Sequence, residues 1–215
     1  RGQETCRTEF TVTLDLGRQM ALTGMESDLG IGNRLQLLDD EIVANLNDIQ
    51  LRNGLAPSST LASGDFTVEM ETGTGKTYVY LRTVFELSRR YGFQKFVVVV
   101  PSVAVREGVL KNIESTAEHF RALYNNLPFE HFVYDARKVN RLRQFATSNT
   151  LQILVINIDA FRKNFTGTEA EQKSNVIYKE SDKLSGRQPI EFVQAARPIV
   201  IIDEPQSVDS TDKAQ

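Results

Sequence analysis

Two stretches of unbroken apolar residues organise the middle of the chain. "FVVVV" (96–100) and "QILVINI" (152–158) are β-rich runs without polar alternation, the pattern of strands covered on both faces. Between and around them the spacing changes to that of helices. Tyr80, Val84, Leu87 and Tyr91 recur at helical intervals, and Gly92 is placed to terminate that helix. A second helix is predicted from about Val103 to Tyr124, a strand at "HFVYD" (131–135) and a basic helix around 138–147. "PIEFVQAA" (189–196) reads as helix and "PIVIID" (198–203) as a strand, and "FTVEM" (66–70) is a short β-prone run ahead of the first helix. Strand and helix alternating in this way predict an α/β fold, a parallel β-sheet flanked by helices in doubly wound style. Residues 1–64 break the rhythm and read as a small N-terminal extension, with a strand at 10–16, a helix near 35–50 and the linker-like "APSSTLASGD" (56–65). Residues 163–187 are polar with few apolar anchors and are predicted to form a mobile insertion.

Composition narrows the function classes. No apolar run approaches the length of a membrane span, and 25 Lys plus Arg stand against 28 Asp plus Glu, a net charge of −3. Any nucleic-acid contact must therefore rest on a local patch. Cys6 is the single cysteine, which rules out an intramolecular disulfide or a cysteine zinc site, and His119 and His131 are the only imidazoles. No signal-like segment opens the chain at Arg1, so a cytoplasmic location is expected, and the "NFT" triplet at Asn164 is read as a chance sequon.

The chemistry begins at "METGTGKT" (70–77). A tight loop between a strand and a helix N-terminus aims several backbone N–H groups at one point, where the helix dipole favours negative charge. Within Thr72, Gly73, Thr74, Gly75, Lys76 and Thr77, the glycines let the backbone wrap a phosphate, Lys76 reaches the β- and γ-phosphates, and the Thr77 hydroxyl is a Mg²⁺ ligand. Met70 stands where the strict G-x-x-x-x-G-K-[ST] pattern has its first glycine, while the core G-x-G-K-T is intact. A purely structural glycine turn is the competing explanation. Its test is a partner carboxylate at the end of a neighbouring strand, and "IVIIDEPQ" (199–206) supplies one. Asp203 would hold the metal and Glu204 would polarise the attacking water as general base. Together the two motifs point to nucleoside triphosphate hydrolysis with ATP and Mg²⁺.

"GTGKT" followed by "DEPQ" resembles the first and second motifs of superfamily 2 helicases. The longer segments 66–112, "VINIDAFRKN" and "RPIVIIDEPQSVD" look like the restriction (Res) subunit of type III restriction–modification enzymes, over roughly residues 40–215. The resemblance implies a RecA-like P-loop lobe of an ATP-dependent DNA translocase joined to an endonuclease, with duplex DNA and a methyltransferase (modification) subunit as partners. It assigns Lys76 and Thr77 to ATP and Mg²⁺, Asp203 and Glu204 to hydrolysis, and Gln206 to coupling. Pro101 and Ser102, with Arg106, match a motif that touches the DNA backbone, although a plain helix start capped by Ser102 explains the same residues. The segment past Asp203 is too short for a second motor lobe or a nuclease domain, so a first lobe that turns over ATP poorly alone is expected. The basic run Arg137, Lys138, Arg141 and Arg143 is read as a solvated helix face rather than a DNA contact. Two alternatives stay open: a lobe of another helicase-like DNA-dependent ATPase, from type I restriction or repair, and a nucleotide-gated binding module without turnover.

Overall fold

The computed structural model describes residues 8–11, 29–71, 73–161 and 176–206. Its centre is a four-stranded parallel sheet of β3 (Lys95–Val100), β4 (Phe129–Val133), β5 (Leu151–Asn157) and β6 (Ile199–Ile202), in the order β4-β5-β3-β6. The register puts Val99 opposite both Ile156 of β5 and Ile202 of β6. Every residue of β3 is buried, as are the first six of β5, which is why these two central strands carry unbroken apolar runs.

Side chains of β3 and β5 alternate between two cores. Phe96, Val98, Val100, Ile153 and Val155 face α2 (Lys76–Tyr91) and α3 (Val103–Leu123). Val97, Val99, Leu154 and Ile156 face α4 (Asn140–Thr147) and α5 (Pro189–Ala195). A sheet covered on both faces by crossover helices is the expected α/β arrangement. On α2 the buried stripe is Leu81, Val84 and Phe85, and Phe85 stacks on Phe120 of α3 with ring centroids 4.8 Å apart. Gly92 closes α2 in the left-handed region at φ 74°, its N–H bonded to the Ser88 carbonyl, as the sequence predicts.

Two expectations change. "FTVEM" (66–70) forms no strand: it is unpaired, with Phe66 55% and Val68 79% exposed. β-propensity reports fit to a pleated, half-buried surface, and these residues have no neighbouring strand to supply one. The predicted insertion at 163–187 changes in its second part. Residues 162–175 lie outside the described part, but 176–187 form two short 3-10 turns that bury Ile177, Leu184 and Arg187. Single apolar anchors spaced among polar residues escape a periodicity test yet suffice to seat a segment. Of the strand predicted at 10–16 only Phe10 and Thr11 are described, within β1 (Thr8–Thr11), which pairs antiparallel with β2 (Leu29–Gly32). The helix predicted near 35–50 is found as α1 (Asp39–Arg52).

Asn33 then ties the upstream segment to the sheet. Its side-chain oxygen accepts from the N–H of Gln94 (2.8 Å) and of Lys95 (3.1 Å), its amide donates to the Lys95 carbonyl (2.7 Å), and its own N–H donates to the Ala196 carbonyl (3.1 Å). Asn33 is buried, so truncation orphans backbone groups that water cannot reach. Asn33→Ala should destabilise the chain by about 1–3 kcal/mol. Urea unfolding would show a lower midpoint with an unchanged slope.

Candidate nucleotide site

The first turn of α2 and the carboxyl end of β6 meet at one edge of the sheet. Gly73 and Gly75 both sit in the left-handed region, at φ 82° and 84°. A Cβ built on either would meet nothing within 4 Å, so glycine is required for backbone conformation rather than for room. Thr74 closes the loop on itself: its hydroxyl donates to the Glu71 carbonyl at 2.6 Å and its N–H to the same oxygen at 3.4 Å. The helical ladder starts where the Val79 N–H reaches the Gly75 carbonyl (3.0 Å), and no side chain caps α2. The N–H groups ahead of Val79 have no intrahelical acceptor, which leaves them for an anion. Thr72, also expected here, lies outside the described residues.

Asp203 continues the pairing of β6, its N–H donating to the Val99 carbonyl at 2.9 Å. Its carboxylate accepts from the Tyr80 hydroxyl at 3.4 Å, which places the acidic end of β6 directly against the first turn of α2. Burial pushes the Asp203 carboxyl above its usual range, and repulsion from Glu204 adds to the shift. The Tyr80 hydroxyl and the Lys76 ammonium oppose it, so Lys76 stands within electrostatic reach of Asp203. Burial raises the Tyr80 phenol, with the Asp203 charge second. Glu204 follows at φ 55°, in the left-handed region that costs a residue with a Cβ about 1–2 kcal/mol, and directly before Pro205.

The donor set fits Mg²⁺. A Thr77 hydroxyl and an Asp203 carboxylate are hard oxygens, and the described residues hold no cluster of three or more His, Cys, Asp or Glu that would form a protein cage. A metal here would complete its shell with water and phosphate oxygens, the habit of Mg²⁺ rather than of zinc or a tight calcium site.

Pro101 and Ser102 follow β3, next to β6 in the sheet, so they lie at the same edge as Asp203. The Ser102 hydroxyl caps α3 by accepting from the Val105 N–H at 3.3 Å, and Arg106 pairs with Glu107 at 2.8 Å. Arg137 pairs with Asp135, and the Arg141 guanidinium lies 5.7 Å from the Phe132 ring centre, so part of the basic run is spent on local contacts. Sequence reasoning places Tyr80 only on the apolar face of α2; its contact with Asp203 is visible only in the structure.

A family model described as type III restriction enzyme, res subunit, matches residues 41–208. The chain belongs to that family. Among curated relatives, it is 36% identical over 157 residues to the StyLTI Res subunit of Salmonella typhimurium, covering 64% of this chain and 15% of that one. It is 28% identical over 191 residues to the EcoP15I Res subunit of Escherichia coli, covering 80% of this chain and 19% of the relative. With the EcoPI Res subunit of Escherichia phage P1 it shares 26% over 204 residues, 85% of this chain and 20% of the relative. The chain thus aligns with no more than a fifth of the length of these Res subunits. Family and architecture agree: the parallel sheet between two helical layers is the helicase-like RecA fold of the Res domain. No described helix is long and apolar enough to cross a membrane.

Proposed function

We propose that the chain is the ATP-binding first motor lobe of a type III restriction Res subunit. In this reading residues 65–215 form the RecA-like lobe, with 1–64 as its N-terminal extension. The observation that carries it is the approach of Asp203 to the start of α2, which the Gly73–Thr77 loop leads into, through the Tyr80 hydroxyl. Gly73, Thr74 and Gly75 wrap the phosphates, with Thr72 as the loop's remaining member, and Lys76 neutralises their charge. Thr77 and Asp203 hold the Mg²⁺, which when bound offsets charge on the transferred phosphoryl group. Glu204 takes the proton of the attacking water. Positioning and electrostatics of this kind are what phosphoryl transfer requires of a protein.

The wider role follows from the same reading. ATP hydrolysis would drive movement along duplex DNA before cleavage by an endonuclease, with a methyltransferase (modification) subunit as partner. Pro101, Ser102 and Arg106 would meet the DNA backbone, because they lie beside the nucleotide site at the strand ends. For Ser102 the cap competes with that contact, so the backbone N–H groups and Arg106 are the stronger candidates. A purely nucleotide-gated module is disfavoured by Glu204, since a sensor has no use for a strained carboxylate beside the metal ligand.

The test is calorimetric titration with Mg²⁺·ATP, followed by phosphate release with and without duplex DNA. Specific, Mg²⁺-dependent binding is expected. Absence of nucleotide binding would remove the motor reading, and residual phosphate release that Glu204→Gln leaves unchanged would favour the gated module.

A further inference from the structure

We propose that Tyr80 is a positioning residue of the nucleotide site, its hydroxyl holding the Asp203 carboxylate against the first turn of α2 before the nucleotide binds. The inference rests on the motor-lobe reading and deepens it. Tyr80 lies three residues after Thr77, one turn on along the same face of α2. Its hydroxyl donates to Asp203 Oδ2 at 3.4 Å. The ring packs against the core formed by α2, α3 and the sheet, so the polar tip is aimed by buried apolar contacts.

A tyrosine that only needed its hydroxyl satisfied could use any acceptor. This one reaches from α2 to the carboxylate that would hold a Mg²⁺ ion, 123 residues away in sequence. Engaging Oδ2 leaves the second carboxylate oxygen of Asp203 for the metal or its water. The tether also holds Asp203 against the repulsion of Glu204, its immediate neighbour. Outer-shell partners of metal ligands act in this way, by orienting the ligand rather than touching the metal.

The experiment compares the wild-type chain with Tyr80→Phe, which keeps the ring and removes the hydroxyl. Affinity for a fluorescent ATP analogue is measured against free Mg²⁺, together with the metal-free affinity and the thermal midpoint. The variant should need about tenfold more Mg²⁺ for half of the metal-dependent gain in affinity, the low end of what outer-shell changes cost. Its metal-free affinity and thermal midpoint should match the wild type. An unchanged Mg²⁺ requirement in a metal-dependent background overturns the role of Tyr80 and leaves the motor reading standing. Parallel losses in metal-free affinity and thermal midpoint would make Tyr80 a packing residue and also overturn the proposal. A wild-type chain that gains nothing from Mg²⁺ overturns both readings.

Discussion

Lys76→Ala should weaken Mg²⁺·ATP binding by about 2–3 kcal/mol, roughly 30- to 150-fold, and leave the nucleotide-free chain as stable as before. The loss is that of a charge-assisted hydrogen bond to phosphate, made at a helix N-terminus that already favours anions. Stability is spared because Lys76 lies outside both hydrophobic cores. Glu204→Gln should do the opposite. It preserves the side-chain size and removes only the proton acceptor, so nucleotide affinity should hold while turnover falls roughly 10²- to 10⁴-fold. Calorimetry reads the first effect, and single-turnover phosphate release in the presence of duplex DNA reads the second. Equal affinity in Lys76→Ala would remove the phosphate assignment. Full turnover in Glu204→Gln would take the general base away from that residue.

The second large effect is expected at the opposite end of the sheet, where β3 begins. Lys95 opens β3, is fully buried, and donates from its ammonium to the carbonyls of Phe145 and Ser148 at the end of α4. It thereby serves orphan carbonyls of the α4 terminus, where a positive charge is also favoured by the helix dipole. Lys95→Ala leaves both carbonyls without this donor and empties the space of the aliphatic stem. The expected cost is about 3–5 kcal/mol, from unmet acceptors at about 1–3 kcal/mol each together with lost packing. Burial also pushes the Lys95 amine down to about 8, with Glu130 nearby opposing the shift. The two carbonyl acceptors oppose it as well, since they favour the charged amine.

The folded value lies below the unfolded one, so between pH 8 and 10.5 the folded chain binds fewer protons. This group's contribution to stability should therefore rise with pH through that window and be weakest below it. Lys95→Met keeps the volume and removes the titration. Subtracting its urea midpoints from those of the wild type should isolate a difference that grows in favour of the wild type from about pH 8 to about pH 10. A flat difference would show that the carbonyl bonds hold the amine charged throughout.

Much of the architecture was legible because burial leaves a period in the sequence. β3 and β5 announced themselves through continuous apolar runs, and each predicted element from α2 to β6 was found within a few residues of its expected bounds. Gly92 ended α2 because the left-handed cap it adopts is one that glycine takes without strain. Lys95 and Asn33 were not legible. One is a lysine at the head of an apolar strand and the other an asparagine in an irregular segment, and neither pattern reveals that its polar atoms meet backbone groups more than 45 residues away.

The sequence by itself determined the composition of the site: glycines where φ must be positive, Lys76 and Thr77 at the start of a helix, Asp203 and Glu204 at the end of a strand. Those are local requirements of backbone geometry and charge, of the kind a bound phosphate would make. Only the tertiary structure decided what joins them. Parallel pairing of β6 with β3 brings Asp203 to the edge where α2 begins, and there the Tyr80 hydroxyl reaches it. It also left Phe66 and Val68 exposed despite their β-forming character, since a strand exists only where another strand offers its edge. Helical and strand periods are written along the chain, whereas a hydrogen bond between residues 123 positions apart depends on packing that no local pattern encodes.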